Sequence, residues 1–152
     1  YIPLLRPTPV IALTATATTI VQRDFAKELG LISPVQAIHG FRRRNIAIEV
    51  IEAPPSARME LVRRFLSEEG QRPAIVYVPT RKASVKYVDA LRRHFSVAAY
   101  HAGMDSMARD RVQTEFLQGT LDVMVATIAF GMGIDKANVR VVLHTAIPSS
   151  IE

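Results

Sequence analysis

The stretch AIVYV at Ala74–Val78, followed by PTRK at Pro79–Lys82, decides the fold. A short, continuous apolar run is typical of a strand that is buried on both faces, as in a parallel sheet. A helix is predicted directly behind it, because Ala83, Tyr87 and Leu91 recur every four residues and form one apolar face. A strand that leads into a helix through so short a turn is the repeating unit of an α/β fold.

The same alternation of strands and helices continues in both directions. Further apolar runs predict strands at Val10–Thr14, Val97–Tyr100, Val123–Ala126 and Val139–Leu143, and an alternating run predicts a strand with one exposed face at Ile46–Val50. Short connections between strands and helices favour parallel pairing. We therefore expect an α/β fold in which helices cover both faces of a mostly parallel sheet.

Three more amphipathic helices are predicted along the chain. The first begins with a capping box at Thr19 and ends at Gly30. The second is capped by Ser56. The third carries its apolar face over Met104–Phe116 and ends at Gly119. Together with the helix behind Lys82, these helices supply the apolar faces that cover the predicted sheet.

The composition is that of a globular protein, and it narrows the chemistry. The 152 residues include 19 Lys and Arg against 14 Asp and Glu, and the resulting net charge of +5 is compatible with a polyanionic partner without establishing one. The absence of cysteine excludes a disulfide scaffold and a Cys-ligated zinc or iron–sulfur site, and the four histidines lack the spacing of metal ligands. No apolar run approaches the roughly 18 residues of a membrane span, and no signal-peptide pattern opens the chain. We expect a soluble, intracellular protein with no metal site and no membrane partner.

Polar residues stand where the predicted strands end. These residues are Thr14, Thr80, His101, Thr127 and Thr145. Ligands of parallel α/β sheets bind outside the carboxyl ends of the strands, and hydroxyl and imidazole groups can donate hydrogen bonds to phosphate oxygens. A threonine in this position most often caps the next helix, which is the alternative for each of the four. The pattern favours a phosphate-lined edge of the sheet.

The loop AFGMGIDK at Ala129–Lys136 is the most informative connection. Gly131 and Gly133 permit a close approach of the backbone to a ligand, and Asp135 could accept hydrogen bonds from a ribose hydroxyl. The same residues also fit a glycine-containing turn with a capping Asp. The sequence contains no phosphate-binding P-loop, no complete dinucleotide fingerprint and no nucleophile elbow.

In their order along the chain, these segments resemble the core of superfamily 2 helicases, and specifically the RecQ family of DNA helicases. ALTATAT at Ala12–Thr18 resembles motif III, and FRRRNI at Phe41–Ile46 is similar to the stretch that leads into the second RecA-like domain. IVYVPTRK at Ile75–Lys82 resembles motif IV, and AAYHAGM at Ala98–Met104 resembles the segment that follows it. The stretch Val123–His144 resembles motif V and the strand after it. The resemblance covers nearly the whole chain.

The resemblance implies two parts. Residues 41–152 would form the second RecA-like domain, and residues 1–40 would be a strand–helix remnant of the first. ATP and Mg²⁺ are the implied cofactors, but the P-loop and the Mg²⁺-binding carboxylate would precede Tyr1 and the arginine-containing motif VI would follow Glu152. Because these groups stabilise the charge of the transferred phosphoryl group, we expect this chain alone to hydrolyse no ATP. Metal-dependent turnover by the purified chain would contradict this expectation.

The resemblance also implies roles for individual residues, none of them catalytic. Thr14 and Thr16 would couple the nucleotide cleft to bound DNA. Contacts to nucleic acid are implied for Thr80, Arg81, His101, Gly103 and Thr127. Gly131, Gly133 and Asp135 would face ATP. The implied full-length protein is an ATP-driven 3′–5′ helicase that translocates on single-stranded DNA, acts at duplex junctions in repair and recombination, and resides in the bacterial cytoplasm or nucleoid, or in the nucleus of a eukaryote.

Three other interpretations remain open from the residues themselves. One is a nucleic-acid-binding module that keeps the fold without using ATP. Another is a Rossmann-type nucleotide- or dinucleotide-binding enzyme, although the glycines of this chain come late and do not follow its first strand. The third is a member of another superfamily 2 branch that acts on RNA or on recombination intermediates.

Overall fold

The computed structural model describes residues 8–14, 18–38, 44–131 and 135–147. The chain divides into two compact units, with a boundary between Glu49 and Val50. The second unit holds the whole sheet and three of the four helices of the described residues. None of the described helices is long and apolar enough to cross a membrane.

The second unit is built on a four-stranded parallel sheet. Its strands are β1 (Ala74–Tyr77), β2 (Val97–Tyr100), β3 (Val123–Ala126) and β4 (Val141–His144), arranged in the order β2-β3-β1-β4. All three pairings are parallel, and the first residues of the four strands lie in one row. The last residues therefore also lie in one row, so the chain leaves all four strands at the same edge of the sheet. This arrangement confirms the predicted parallel α/β fold.

Helices cover both faces of this sheet. The helices that pack on it are α2 (Pro55–Ser67), α3 (Arg81–Leu91) and α4 (Ser106–Gln118), whereas α1 (Thr19–Glu28) belongs to the first unit. On one face the core includes Leu66 of α2 and Leu91 of α3, which are fully buried. On the other face it includes Phe116 of α4, which is fully buried against β1 and β3.

Local hydrogen bonds fix where α4 begins and ends. The carboxylate of Asp105 accepts a hydrogen bond from the backbone N–H of Ala108 at 2.8 Å, which satisfies one of the free donors of the first turn. The helix ends at Gly119, whose φ of +82° lies in the left-handed region that favours glycine. The predicted end of this helix is therefore confirmed. α4 thus starts at the edge where β2 ends and finishes at the edge where β3 begins.

Two predicted strands are absent. Val10–Thr14 and Ile46–Val50 form no strand, and the side chains of Ile11 and Leu13 are 82% and 84% exposed. An apolar pattern permits a strand, but a strand is stable only when its backbone N–H and C=O groups pair with a neighbour. Among the described residues, no strand lies beside either segment.

The starts of two helices also differ from the predictions. The cap of α1 is Thr18 instead of Thr19, because the Thr18 hydroxyl accepts from the N–H of Val21 at 3.4 Å. α2 begins at Pro55, and Ser56 lies inside its first turn without capping it. Proline suits the first helical position because its φ is already helical and its missing N–H would have had no partner there.

Candidate functional site

The strand-end rim is the edge of the sheet at which the four strands end, together with the residues that follow the strands there. His101 and Thr127 directly follow β2 and β3, and Thr145 directly follows β4. Thr80 follows β1 after a short turn and directly precedes α3. The structure therefore brings together four of the five polar strand-end residues that the sequence singled out. The fifth, Thr14, lies in the first unit and follows no strand.

Thr80 caps α3. Its Oγ1 accepts a hydrogen bond from the backbone N–H of Ala83 at 3.1 Å, and its carbonyl accepts from the N–H of Ser84 at 3.1 Å. The capping role that the sequence left open is thus present. The Thr80 side chain is exposed, and its hydroxyl proton is not used by the cap, so the same group can still donate to an external acceptor.

The side chain of Arg81 lies against the backbone of Gly103. A methyl group at position 103 would lie 2.8 Å from Nη1 of Arg81 and 3.1 Å from its Cζ. This close approach joins the first turn of α3 to the turn that links β2 with α4. Both residues are exposed, and Arg81 has no ion-pair partner among the described residues. A side chain at position 103 would make the guanidinium of Arg81 shift from this place.

His101 opens the turn that contains Gly103. Its carbonyl accepts a hydrogen bond from the N–H of Met104 at 3.1 Å, which closes the turn ahead of α4. The imidazole is half-buried, and its Nδ1 atom is buried with no hydrogen-bond partner in the part of the chain that the structure describes. A buried ring nitrogen without a partner is uncommon in folded proteins and requires an explanation.

Hydrogen bonds hold the segment after β3, which leads into the loop at Ala129–Lys136, against the ends of the neighbouring strands. The N–H of Thr127 donates to the carbonyl of Tyr100 at 3.1 Å, and the N–H of Phe130 donates to the carbonyl of Thr127 at 3.1 Å. The hydroxyl of Tyr77 donates to the carbonyl of Phe130 at 2.9 Å, and burial raises the pKa of that hydroxyl, which keeps it a donor. Gly131 has a φ of +150°, and a methyl group there would lie 3.2 Å from the Tyr77 hydroxyl.

Thr145 differs from the other rim residues because it is buried. Its hydroxyl donates to the carbonyl of Tyr77 at 3.1 Å, and its own carbonyl accepts from Nη1 of Arg58 at 3.0 Å. Nε of Arg58 also donates to the carbonyl of Ala53 at 3.2 Å. Arg58 therefore ties the chain before α2 to the end of β4. Sequence reasoning missed this residue, since a lone arginine in the first turn of a helix normally indicates a solvated side chain.

Two of the three residues that were predicted to face ATP, Gly131 and Asp135, lie within the described residues. Gly131 lies at the rim, and Asp135 is exposed in the connection to β4. The neighbouring Lys136 donates from Nζ to the carbonyl of Leu117 at 3.2 Å, and its ammonium lies 5.3 Å from the ring centre of Phe116. Leu117 is near the end of α4, so the side chain of Lys136 lies near the end of that helix. Thr16 and Gly133 lie outside the described residues.

Comparison with protein families gives a match over most of the second unit. Residues 57–152 match the model of the helicase conserved C-terminal domain. The ATP-dependent DNA helicase RecQ of Haemophilus influenzae is 41% identical over 145 residues, which are 95% of this chain and 23% of that protein. RecQ of Bacillus subtilis is 39% identical over 97% of this chain and 25% of its own length. A putative ATP-dependent RNA helicase of Acanthamoeba polyphaga mimivirus is 38% identical over 98% of this chain and 27% of that protein.

These relatives confirm the resemblance to the RecQ family. The chain spans about a quarter of the length of the curated relatives it matches. Among solved structures, Saccharomyces cerevisiae Dbp5 bound to RNA and ADP BeF3 superposes with a TM-score of 0.70 at 16% identity, covering 91% of this chain and 36% of that chain. A DEAD box protein from Methanococcus jannaschii gives 0.58 at 23% identity over 64% of this chain and 27% of that chain. These two likenesses confirm the RecA-like helicase fold.

Replacement of Thr80 by Ala removes the cap of α3. We expect the free energy of unfolding of the second unit to fall by about 1 kcal/mol, whereas Thr80→Ser keeps the accepting oxygen and most of the stability. Urea unfolding followed by circular dichroism measures both changes. Thr114→Ala, on the exposed side of α4, is the control and should change the stability by less than about 0.5 kcal/mol. Equal stability of Thr80→Ala and the unaltered protein would contradict the capping role.

Proposed function

Because the chain belongs to the family of the helicase conserved C-terminal domain, we propose that it is part of an ATP-dependent DNA helicase of the RecQ type. In this proposal the chain contacts the backbone of a nucleic-acid strand and forms one side of an ATP cleft. The observation that carries the proposal is the contact between Arg81 and Gly103 at the rim, which joins two strand ends into one exposed, positively charged surface.

The rim suits a phosphate backbone better than it suits base edges. Arg81 and Lys82 are exposed beside Thr80 and have no carboxylate partner among the described residues. A guanidinium, an ammonium and hydroxyl donors bind phosphate oxygens without reading sequence. Thr127 and His101 extend this row of donors along the carboxyl ends of β3 and β2. A protein that moves along a strand needs contacts of this sequence-independent kind.

The two-domain organisation is part of the proposal. Residues 41–152 would be the second RecA-like domain, and residues 1–40 would belong to the first. A boundary in this part of the chain is supported by the family match, which starts at Ala57, and by the division of the chain into compact units after Glu49.

ATP would act through the loop that leaves β3. Gly131, Gly133 and Asp135 are the proposed nucleotide-facing residues, and Thr14 and Thr16 the proposed coupling residues. Gly131 is four positions from Thr127, and the Tyr77 hydroxyl holds the peptide between them at Phe130. A movement of the nucleotide-facing residues could therefore be transmitted to the proposed nucleic-acid contact at Thr127, because the segment between them is short and is held by this hydrogen bond. When bound, ATP supplies the free energy for alternating tight and weak binding of the nucleic-acid strand. The proposed direction of translocation along that strand is 3′–5′.

Mg²⁺ would be bound elsewhere in the full-length protein. Among the residues that the structure describes, no group of three or more His, Asp or Glu side chains could hold a metal ion. The proposed DNA substrates are single strands and duplex junctions, and the proposed location is the bacterial cytoplasm or nucleoid, or a eukaryotic nucleus.

An RNA substrate is the second candidate. One relative of this chain is named as a putative RNA helicase, at 38% identity. Contacts to phosphates alone do not separate DNA from RNA, since the 2′-hydroxyl is the group that distinguishes them. Binding of oligo(dT) and oligo(U) of equal length, measured side by side, discriminates the two.

The Arg81 contact can be tested with single-stranded oligo(dT) and fluorescence anisotropy over a series of salt concentrations. Arg81→Gln should weaken binding and lower the slope of log K against log salt by about 0.7, the value for one phosphate contact on a single strand. Gly103→Ala should weaken binding less than Arg81→Gln does, because the added methyl makes the guanidinium shift without removing its charge. In the Arg81→Gln background, Gly103→Ala should add little.

Arg92→Gln is the matched control for these variants. Arg92 follows α3 at its far end and pairs with Asp89 at 3.4 Å, so its loss removes the same charge away from the rim. Binding and salt slope should stay close to those of the unaltered protein. If Arg81→Gln and Arg92→Gln have the same effect, the rim is not the binding surface.

A further inference from the structure

Arg58 makes two hydrogen bonds that hold distant parts of the chain together. Its Nε donates to the carbonyl of Ala53 at 3.2 Å, and its Nη1 donates to the carbonyl of Thr145, 87 positions away, at 3.0 Å. The side chain is half-buried, and none of the ion pairs among the described residues includes it. Because the donors of a guanidinium lie in one rigid plane, both carbonyls are held in a defined direction. Arg58 therefore joins two backbone segments and is not a solvated surface charge.

Ala53 lies where the connection between the two units becomes part of the second unit. Ahead of it, the side chains of Ile48 and Val50 are 89% and 92% exposed, whereas Ala53 is half-buried. Pro54 follows it with a φ that is fixed by its ring, and the carbonyl of Pro54 accepts a hydrogen bond from the N–H of Ala57 at 2.9 Å. In the part of the connection that the structure describes, the Ala53 carbonyl is the first backbone group that a side chain of the second unit holds.

The other carbonyl that Arg58 holds belongs to a fixed point of the sheet. Thr145 directly follows β4 and is buried. Its N–H and its hydroxyl both donate to the carbonyl of Tyr77 at the end of β1, at 3.0 Å and 3.1 Å. These two hydrogen bonds fix Thr145 without the help of Arg58. Arg58 thus attaches a segment that has few contacts of its own to a residue that the sheet already holds in place.

We propose that Arg58 anchors the connection between the two units to the end of β4, so that the connection bends only ahead of Ala53. Hinge movements are absorbed by a few residues of a connection, and a fixed attachment point determines which residues these are. The attachment lies at the edge of the sheet where Thr80 and Thr127 also follow their strands, so a movement of the connection acts on the edge that carries the proposed nucleic-acid contacts. The anchor itself is independent of the proposed function, whereas its use in ATP-driven movement rests on that function.

The anchor is tested by measuring backbone order parameters of the ¹⁵N-labelled full chain by NMR relaxation, without nucleic acid. In the unaltered protein the order parameter of Ala53 should be about 0.85, as in rigid backbone, and that of Ile48 should be below about 0.6. Arg58→Met removes both donors and keeps an unbranched side chain, so the order parameter of Ala53 should fall below about 0.6. The order parameters of Leu66 and Leu91, which are fully buried, should stay at about 0.85, which separates loss of the anchor from loss of the fold.

Arg64→Met is the matched control. Arg64 is exposed in the last turn of the same helix, so this variant removes the same charge without touching the anchor. The order parameter of Ala53 should remain at about 0.85 in this variant. An unchanged order parameter of Ala53 in Arg58→Met, an equal loss in Arg64→Met, or a mobile Ala53 in the unaltered protein would overturn the inference.

A second measurement needs no variant and decides the matter if Arg58→Met does not fold. In the unaltered protein, the Nε–H of Arg58 should exchange with water at least about tenfold more slowly than that of Arg64, because it is hydrogen-bonded to the Ala53 carbonyl. Equal exchange rates would overturn the inference and leave the proposed function standing. Failure of the unaltered protein to bind oligo(dT) would instead remove the proposed function and leave the anchor standing, because neither measurement uses nucleic acid.

Discussion

The architecture depends on parallel hydrogen bonding in level register around the central strands. Ala74 of β1 lies opposite both Val123 of β3 and Val141 of β4, and β3 holds Val97 of β2 in the same row. Because strands of equal length start in one row, they end in one row, and every chain segment that leaves the sheet starts from a single edge. This register brings polar residues from four distant parts of the sequence to the same edge of the sheet.

The connections at that edge serve the fold and the proposed contacts at once. Thr80 ends a turn and caps α3, and the absence of a side chain at Gly103 leaves room for the side chain of Arg81. Tyr77 reaches from the end of β1 to hold the loop behind β3. A surface made in this way keeps its geometry because each of its groups is also part of a turn or cap that the folded state needs.

The sequence predicted those parts of the fold in which local pattern and tertiary partner agree. Apolar runs such as Ala74–Val78 became strands because neighbours pair with them on both sides. Val10–Thr14 has an equally apolar pattern, but strand formation is decided by a partner that a pattern does not reveal. The rim was predictable because parallel strands end together. Arg58 was not, since its role depends on which carbonyls lie nearby in three dimensions, and spacing carries no such information.

The most direct test of the central claim is a footprint of single-stranded DNA on the backbone amides, by titration of the ¹⁵N-labelled protein with oligo(dT). If one edge of the sheet holds the strand, amide signals should shift around Thr80–Lys82, His101–Gly103 and Thr127. The signals of Ser96 and Asp122, which are hydrogen-bonded to each other at the opposite edge, should stay in place. Shifts that are concentrated at Ser96 and Asp122, with none at the rim, would contradict the account.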